Sequence, residues 1–323
     1  MPNYSGVWDL RQQGVAVKGD RWELAPENVF ISGVTSRRAN EKINLLSSGG
    51  ATDFGEIRSG AGQADGDFSA RAGFGNGVRG IYTAISSNTG GTTDIEYFTF
   101  ASTGASQDFG NLTVANGVGS GLSNNTRGVI TGHNSTDTMD YITINSLGDA
   151  TDFGNLATAS SYGAACSSTT RGLIAIGNNG STFNNDTVNY ITIASASNAT
   201  DFGNLSQARS FLASSSSNTR GVFGGGNDGS TAYNIIDYFT IASASNATDF
   251  GDLTITNRVN ASGSGSTKAI FASSNAGTSD AERSFINRIT IATTANASDF
   301  GNLSYKNAVL RTAASDSTPS QKG

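Results

Sequence analysis

Arg220-Gly221-Val222-Phe223-Gly224-Gly225-Gly226, then Ile236-Asp237-Tyr238-Phe239-Thr240-Ile241, then Asn246-Ala247-Thr248-Asp249-Phe250-Gly251-Asp252-Leu253, form one copy of a text that recurs along the chain. Its fixed point, Asp-Phe-Gly, occurs with phenylalanines at Phe54, Phe109, Phe153, Phe202, Phe250 and Phe300, at intervals of 55, 44, 49, 48 and 50 residues. A period of this size marks architectures whose units bury their apolar faces only against one another. The first segment of the copy is a short β-branched and aromatic run ended by glycines. The second alternates, with Phe239 and Ile241 on one face and Tyr238 and Thr240 on the other, as a strand requires. An Asn/Ala/Ser turn cluster leads to the anchor. After an anchor comes a segment such as residues 206–216, whose small side chains suit the strand nearest a crowded axis.

Four strands in about 48 residues is the size of a propeller blade, and the Gly, Ser, Thr and Asn load excludes helices. The chain enters the repeat at Val29-Phe30-Ile31-Ser32-Gly33 and leaves the last anchor with a spare segment, residues 305–315, of the type missing from the first unit. Pairing the two closes a ring and removes exposed sheet edges. The expectation is an all-β, six-bladed β-propeller over residues 28–316, with a leader at 1–27 and a tail at 317–323. Each anchor phenylalanine should lie buried between adjacent blades.

Composition narrows the function. The 323 residues carry a formal charge of −6 and a pI near 4.8, with only 14% charged residues. Phosphate recognition needs clustered Lys and Arg, so no nucleic-acid partner is expected. Cys166 is the one cysteine and His133 the one histidine, which can build neither a disulfide nor a zinc site. No calcium-loop spacing occurs, and no metal or cofactor is expected. Met1 to Leu10 lacks an apolar signal region, and no apolar run reaches membrane-spanning length. Asn-x-Ser/Thr triplets such as Asn246-Ala247-Thr248 therefore read as turn chemistry.

Candidate sites follow. Asp-Phe-Gly binds magnesium in protein kinases, but here it recurs without a Gly-rich loop or catalytic-loop motif. The structural reading has Phe filling inter-blade space, Asp capping a turn and Gly permitting that turn's backbone. His133 has no marked nucleophile beside it, and Asp65 and Asp67 read as turn residues in a long connection. Arg79, Arg127, Arg171 and Arg220, with Lys268, recur in register. Each is expected to pair with a carboxylate or carbonyls at the blade edge, the alternative being a cationic ring that binds an anion. The loops at residues 178–187, 227–234 and 274–284 vary, emerge on one face and carry isolated aromatics. Phe183, Asn184, Tyr233 and Asn234 are the candidate ligand-binding residues. The leader holds both tryptophans, and Trp8, Leu10, Trp22 and Leu24 are candidate interface anchors. It either docks on a neighbour or plugs its own ring.

A glycine-ended strand, a Tyr-bearing strand, and a hydrophobic anchor followed by Leu together resemble the kelch family of β-propellers over residues 28–316. The glycine run is full only at Gly224-Gly225-Gly226, and Phe stands where kelch blades carry Trp. The repeat text and the leader YSGVWDLRQQGVAVKGDRWEL also resemble structural proteins of tailed phages of marine cyanobacteria and other marine bacteria. That resemblance implies a virion protein of the tail or an appendage, made in the host cytoplasm. The leader would bind other virion proteins, and the propeller would mediate assembly or contact a host-surface glycan or protein. A free lectin-like or protein-binding module and a glycan-cleaving propeller enzyme are the alternatives. With a single histidine and dispersed acids, no catalytic activity is expected.

Overall fold

The computed structural model describes residues 27–34, 37–47, 50–57, 72–83, 92–117, 119–132, 136–179, 185–256, 258–273, 284–304 and 312–317. These form six four-stranded antiparallel sheets whose innermost strands neighbour one another in a closed circle: a six-bladed β-propeller. In the fifth blade the order from axis to rim is Ala213–Ser216, Arg220–Gly224, Ile235–Thr240 and Thr248–Asp252. The first blade is assembled from both ends of the repeat region. Thr312–Ser315 pairs antiparallel with Asn28–Val34, in the register Val29 to Ser315 and Ser32 to Thr312. This is the expected ring closure; residues 305–311 lie outside the described residues.

There is no single core. Buried apolar side chains fall into six layers, each between two adjacent blades, and each layer holds one anchor phenylalanine. Phe202 is 2% exposed and packs with Cys166 and Leu173 of its own blade and Phe223 and Phe239 of the next. Because each blade is covered on both faces, its third strand is buried on both. Ile236 joins the layer shared with the sixth blade, while Phe239 joins the one shared with the fourth.

The Asp-Phe-Gly triplet does not sit in a turn, as the sequence reading had it. It lies in the outermost strand, for example Thr200–Asn204, at a register shift against the third strand. In three of the copies the aspartate accepts a hydrogen bond from the glycine amide two residues on, as in Asp53 to Gly55 at 3.2 Å. The triplet therefore builds a β-bulge. Its glycine adopts positive φ, 145° at Gly203. A Cβ there would lie 2.1 Å from the carbonyl oxygen of Ser245, in the following blade's turn. That turn docks on the bulged strand: Ala247 N donates to Asn204 O at 2.8 Å, and Asn204 N donates to Asn246 Oδ1 at 3.1 Å.

The in-register arginines contact carbonyls, as expected. Nη1 of Arg79, Arg127, Arg171 and Arg220 donates to the main-chain oxygens of Ile144, Ile193, Ile241 and Ile291 of the following blade, at 2.9–3.0 Å. Each guanidinium also lies over a tyrosine of its own blade, 4.2–4.8 Å from the ring centre. Lys268 instead donates to Thr290 Oγ1 within its blade, and Arg288, at the tyrosine position, lies over Phe300.

The seam between the sixth and first blades is stapled differently. Glu27 Oε1 accepts from the Ser266 amide at 3.0 Å and from the Ser266 hydroxyl, and Glu27 O accepts from Leu45 N at 2.8 Å. Elsewhere Asn76, Asn124, Ser168 and Ser217 cap the turn from first to second strand, accepting from the arginine amide three residues on. In the first blade that turn is absent, and Asp316 supplies the cap: Oδ1 accepts from Asn28 N at 2.7 Å and Oδ2 from Asn28 Nδ2 at 2.6 Å. Around the axis, the hydroxyls of Ser123, Ser167, Ser216, Ser264 and Ser315 each donate to a carbonyl of the preceding inner strand, at 2.6–2.8 Å. The sixth position of this belt is Gly75, where a Cβ would come within 2.7 Å of Ser315 O.

Two outcomes are expected. Phe202→Ala removes one layer's anchor and should cost roughly 3–5 kcal/mol in urea unfolding; a loss within the surface-mutation range of about 0.5 kcal/mol would contradict the layer assignment. For Asp316, burial raises the carboxyl pKa above its ordinary value, and the bonds from Asn28 only partly offset this. The folded protein therefore holds the proton more tightly, and ionisation lowers stability as pH rises from the unfolded pKa through the raised one. Asp316→Asn keeps the Oδ1 acceptor and removes the charge. Its stability relative to wild type should improve as pH rises through that window, read by urea titrations at a series of pH values.

Candidate functional site

The end of the ring that carries the variable loops is fixed by backbone pairing. Ser161 bridges to Asn178, and Ser210 bridges to Asn227. In both blades the serine just before Tyr162 or Phe211 is thus tied to the first residue of a variable loop. At this end Tyr162 and Phe211 stand at the rim of the axial channel, which Ser120, Ser214, Ser262 and Thr312 also line.

Tyr162 and Phe211 occupy matching positions, five residues before Ser167 and Ser216 of the belt. Among the described residues they alone, glycines aside, have positive φ, 56° and 57°. Left-handed backbone costs an L-residue of order 1–2 kcal/mol and falls to Gly or Asn by default. Here it holds two half-buried aromatic rings in a stack with centroids 4.3 Å apart and planes at 27°. The Phe211 amide donates to Tyr162 O at 2.9 Å, joining the two blades at this point. The guanidinium of Arg258, from the entrance to the sixth blade's inner strand, lies 4.8 Å from the Phe211 ring centre. Tyr162, Phe211 and Arg258 thus form an arc over three consecutive blades.

Beneath Phe211 sits a fully buried ion pair. Arg209 Nη1 and Asp237 Oδ2 are 2.9 Å apart, with both side chains 0% exposed. Arg209 Nε donates to Gly225 O at 2.8 Å, Nη1 donates to Gln207 O at 2.9 Å, and Asp237 Oδ2 also accepts the Ser206 amide at 3.0 Å. Burial pushes the guanidinium's pKa down, and the Asp237 charge draws it back. The corresponding third-strand side chains perform the same staple elsewhere: Asp140 accepts from Thr113, Asn189 from Ala157, Asn287 from Thr254 and Glu41 from Ser304, each across a blade boundary. Arg209 is the fifth blade's addition.

Of the candidate ligand residues, Tyr233 and Asn234 are half-buried in the loop beside this pair. Tyr233 Oη donates to Asp228 Oδ2 at 2.7 Å, and Asp228 Oδ1 also takes the amides of Thr231 and Ser230 at 2.7 and 2.9 Å. These hydrogen bonds hold the Asp228 carboxyl well below the usual range and raise the Tyr233 phenol. The loop is pre-folded, and the Tyr233 hydroxyl is committed to it. Asn234 O accepts from Leu253 N at 2.7 Å. Phe183, Asn184, Trp8, Leu10, Trp22, Leu24, His133, Asp65 and Asp67 lie outside the described residues.

Sequence reasoning passed over Tyr162, Phe211 and Arg258. A signal was present: an aromatic stands at the same offset before two successive small-residue strands. Among the described residues no three His, Cys, Asp or Glu gather as a metal site, and no helix is long and apolar enough to cross a membrane.

Arg209→Met should leave Asp237 charged, buried and unpaired, at a cost of about 3–5 kcal/mol. The double change Arg209→Met with Asp237→Leu should recover most of it, as measured by a double-mutant cycle in urea. A scan against protein-family models and a search of curated proteins find no match to this chain.

Proposed function

We propose that the chain is a non-catalytic recognition module of a tailed-phage particle. The leader holds it to other virion proteins, and the loop end of the propeller is displayed for contact with the host surface. The observation that supports recognition is the pair of aromatics kept at positive φ around the channel mouth. Strained backbone clusters at ligand sites. The virion setting rests on the resemblance of the leader and the repeat text to phage structural proteins. Three described acids serve the scaffold: Asp237 pairs with Arg209, Asp228 organises its loop and Asp316 clasps the first blade.

Glu27 belongs to the ring seam, so the leader is tested by removing residues 1–26. The shortened protein should fold with an unchanged unfolding transition, adhere to host cells as the full chain does, and be absent from purified particles by immunogold labelling. Incorporation of the shortened chain at wild-type levels would remove the leader from the attachment role. A full-length chain that is missing from particles would remove the virion setting altogether.

A further inference from the structure

We propose that the arc of Tyr162, Phe211 and Arg258 binds a carboxylate-bearing sugar within a polysaccharide, a uronic-acid-type unit. The inference rests on the loop end being the recognition end, and it names the chemistry recognised there.

The Arg258 guanidinium meets no carboxylate among the described residues; its one partner is the face of Phe211. A cation–π contact uses none of the guanidinium's N–H groups as hydrogen-bond donors to oxygen, and these form the fork that matches the two oxygens of a carboxylate. The ring therefore pre-orients a cation that has no carboxylate beside it among the described residues, on a chain of net charge −6. Phe211 is itself held by the stacked Tyr162 ring and by its amide bond to Tyr162 O. A pyranose has C–H faces that suit an aromatic surface and hydroxyls that need partners. The half-buried hydroxyls of Ser120 and Ser214 line the opening beside the aromatics. Because the three side chains come from three successive blades, the ligand lies along the arc. One sugar ring rests against the aromatics while a carboxylate reaches Arg258, which a polymer of linked units provides.

The strain makes the site separable from the fold. Glycine at position 162 would adopt the observed φ of 56° at no steric cost. The test is calorimetric titration of the full chain with oligogalacturonate, a sulfated glucan oligomer and neutral malto-oligosaccharide at low salt. Wild type should bind oligogalacturonate in preference to both others. Arg258→Gln should weaken that binding about tenfold or more, the usual loss for a hydrogen bond to a charged group, and Arg258→Lys should restore only part of it. Tyr162→Gly should lose affinity by a similar factor without lowering the unfolding midpoint. The proposal is overturned if Arg258→Gln binds as wild type does, if the neutral oligomer competes equally, or if the sulfated oligomer binds as well with the same dependence on Arg258. Failure of oligogalacturonate binding by a chain that still adheres to host cells removes this site and leaves the recognition reading standing. Binding by a chain absent from particles sustains the site and removes the virion setting.

Discussion

Two backbones can touch at the rim of this ring only because the anchor triplet ends in glycine. At Gly55, Gly110, Gly154, Gly203 and Gly251 a Cβ would come within 2.1–2.7 Å of backbone in the following blade's turn. The contact brings the two main chains into hydrogen-bonding range. It also sets the separation at which the neighbouring phenylalanine fills the layer between sheets. The bulge, the docking turn and the buried phenylalanine are therefore one device repeated around the ring. Altering the glycine would disturb all three together.

The seam between the last and first blades shows which parts of that device are general. The outer-strand contact survives there: Ala51 N donates to Asn302 O at 3.1 Å, and Ser304 still reaches Glu41. The arginine–tyrosine clamp is lost, since Lys268 and Arg288 occupy its positions. Glu27 and Asp316 take over by gripping Ser266 and Asn28. A cap that one side chain supplies within a continuous turn takes both carboxyl oxygens of a partly desolvated aspartate when the turn is broken.

The blade number, the closing strand and the burial of the anchors followed from the sequence because each is a matter of period and of side-chain size. The role of the aspartate and glycine in the triplet did not. A bulge and a turn call for the same residue types, and only the pairing register separates them. The four arginines were legible as blade-edge clamps, to carboxylates or carbonyls, because a position repeated in register calls for a partner repeated in register; that the partners are carbonyls was visible only in the structure. The channel mouth was hidden for the opposite reason: Tyr162, Phe211 and Arg258 are exceptions to the repeat, and each lies beside a segment whose small residues drew the eye to the axis. Tyr233 drew attention as a loop aromatic, yet its hydroxyl is tied to Asp228. Chain position alone cannot reveal whether a polar tip is already occupied.

The clasp of the first blade also determines how the ring meets a mechanical load. Asn28–Val34 lies between Thr312–Ser315 on one side and Arg37–Asn44 on the other, hydrogen-bonded to both. Tension applied along this strand's own axis loads both rows of hydrogen bonds at once. Hydrogen bonds perpendicular to a strand are then sheared together rather than peeled in turn, the geometry in which a sheet resists force best. The Ser266 grip on Glu27 and the Asp316 grip on Asn28 stand at the point where that tension enters. A pull along Asn28–Val34 therefore meets the ring in its strongest direction, whereas Thr312–Ser315 is a four-residue strand held by one neighbour, the Asp316 clasp on Asn28 and the Ser315 bond to Ser264.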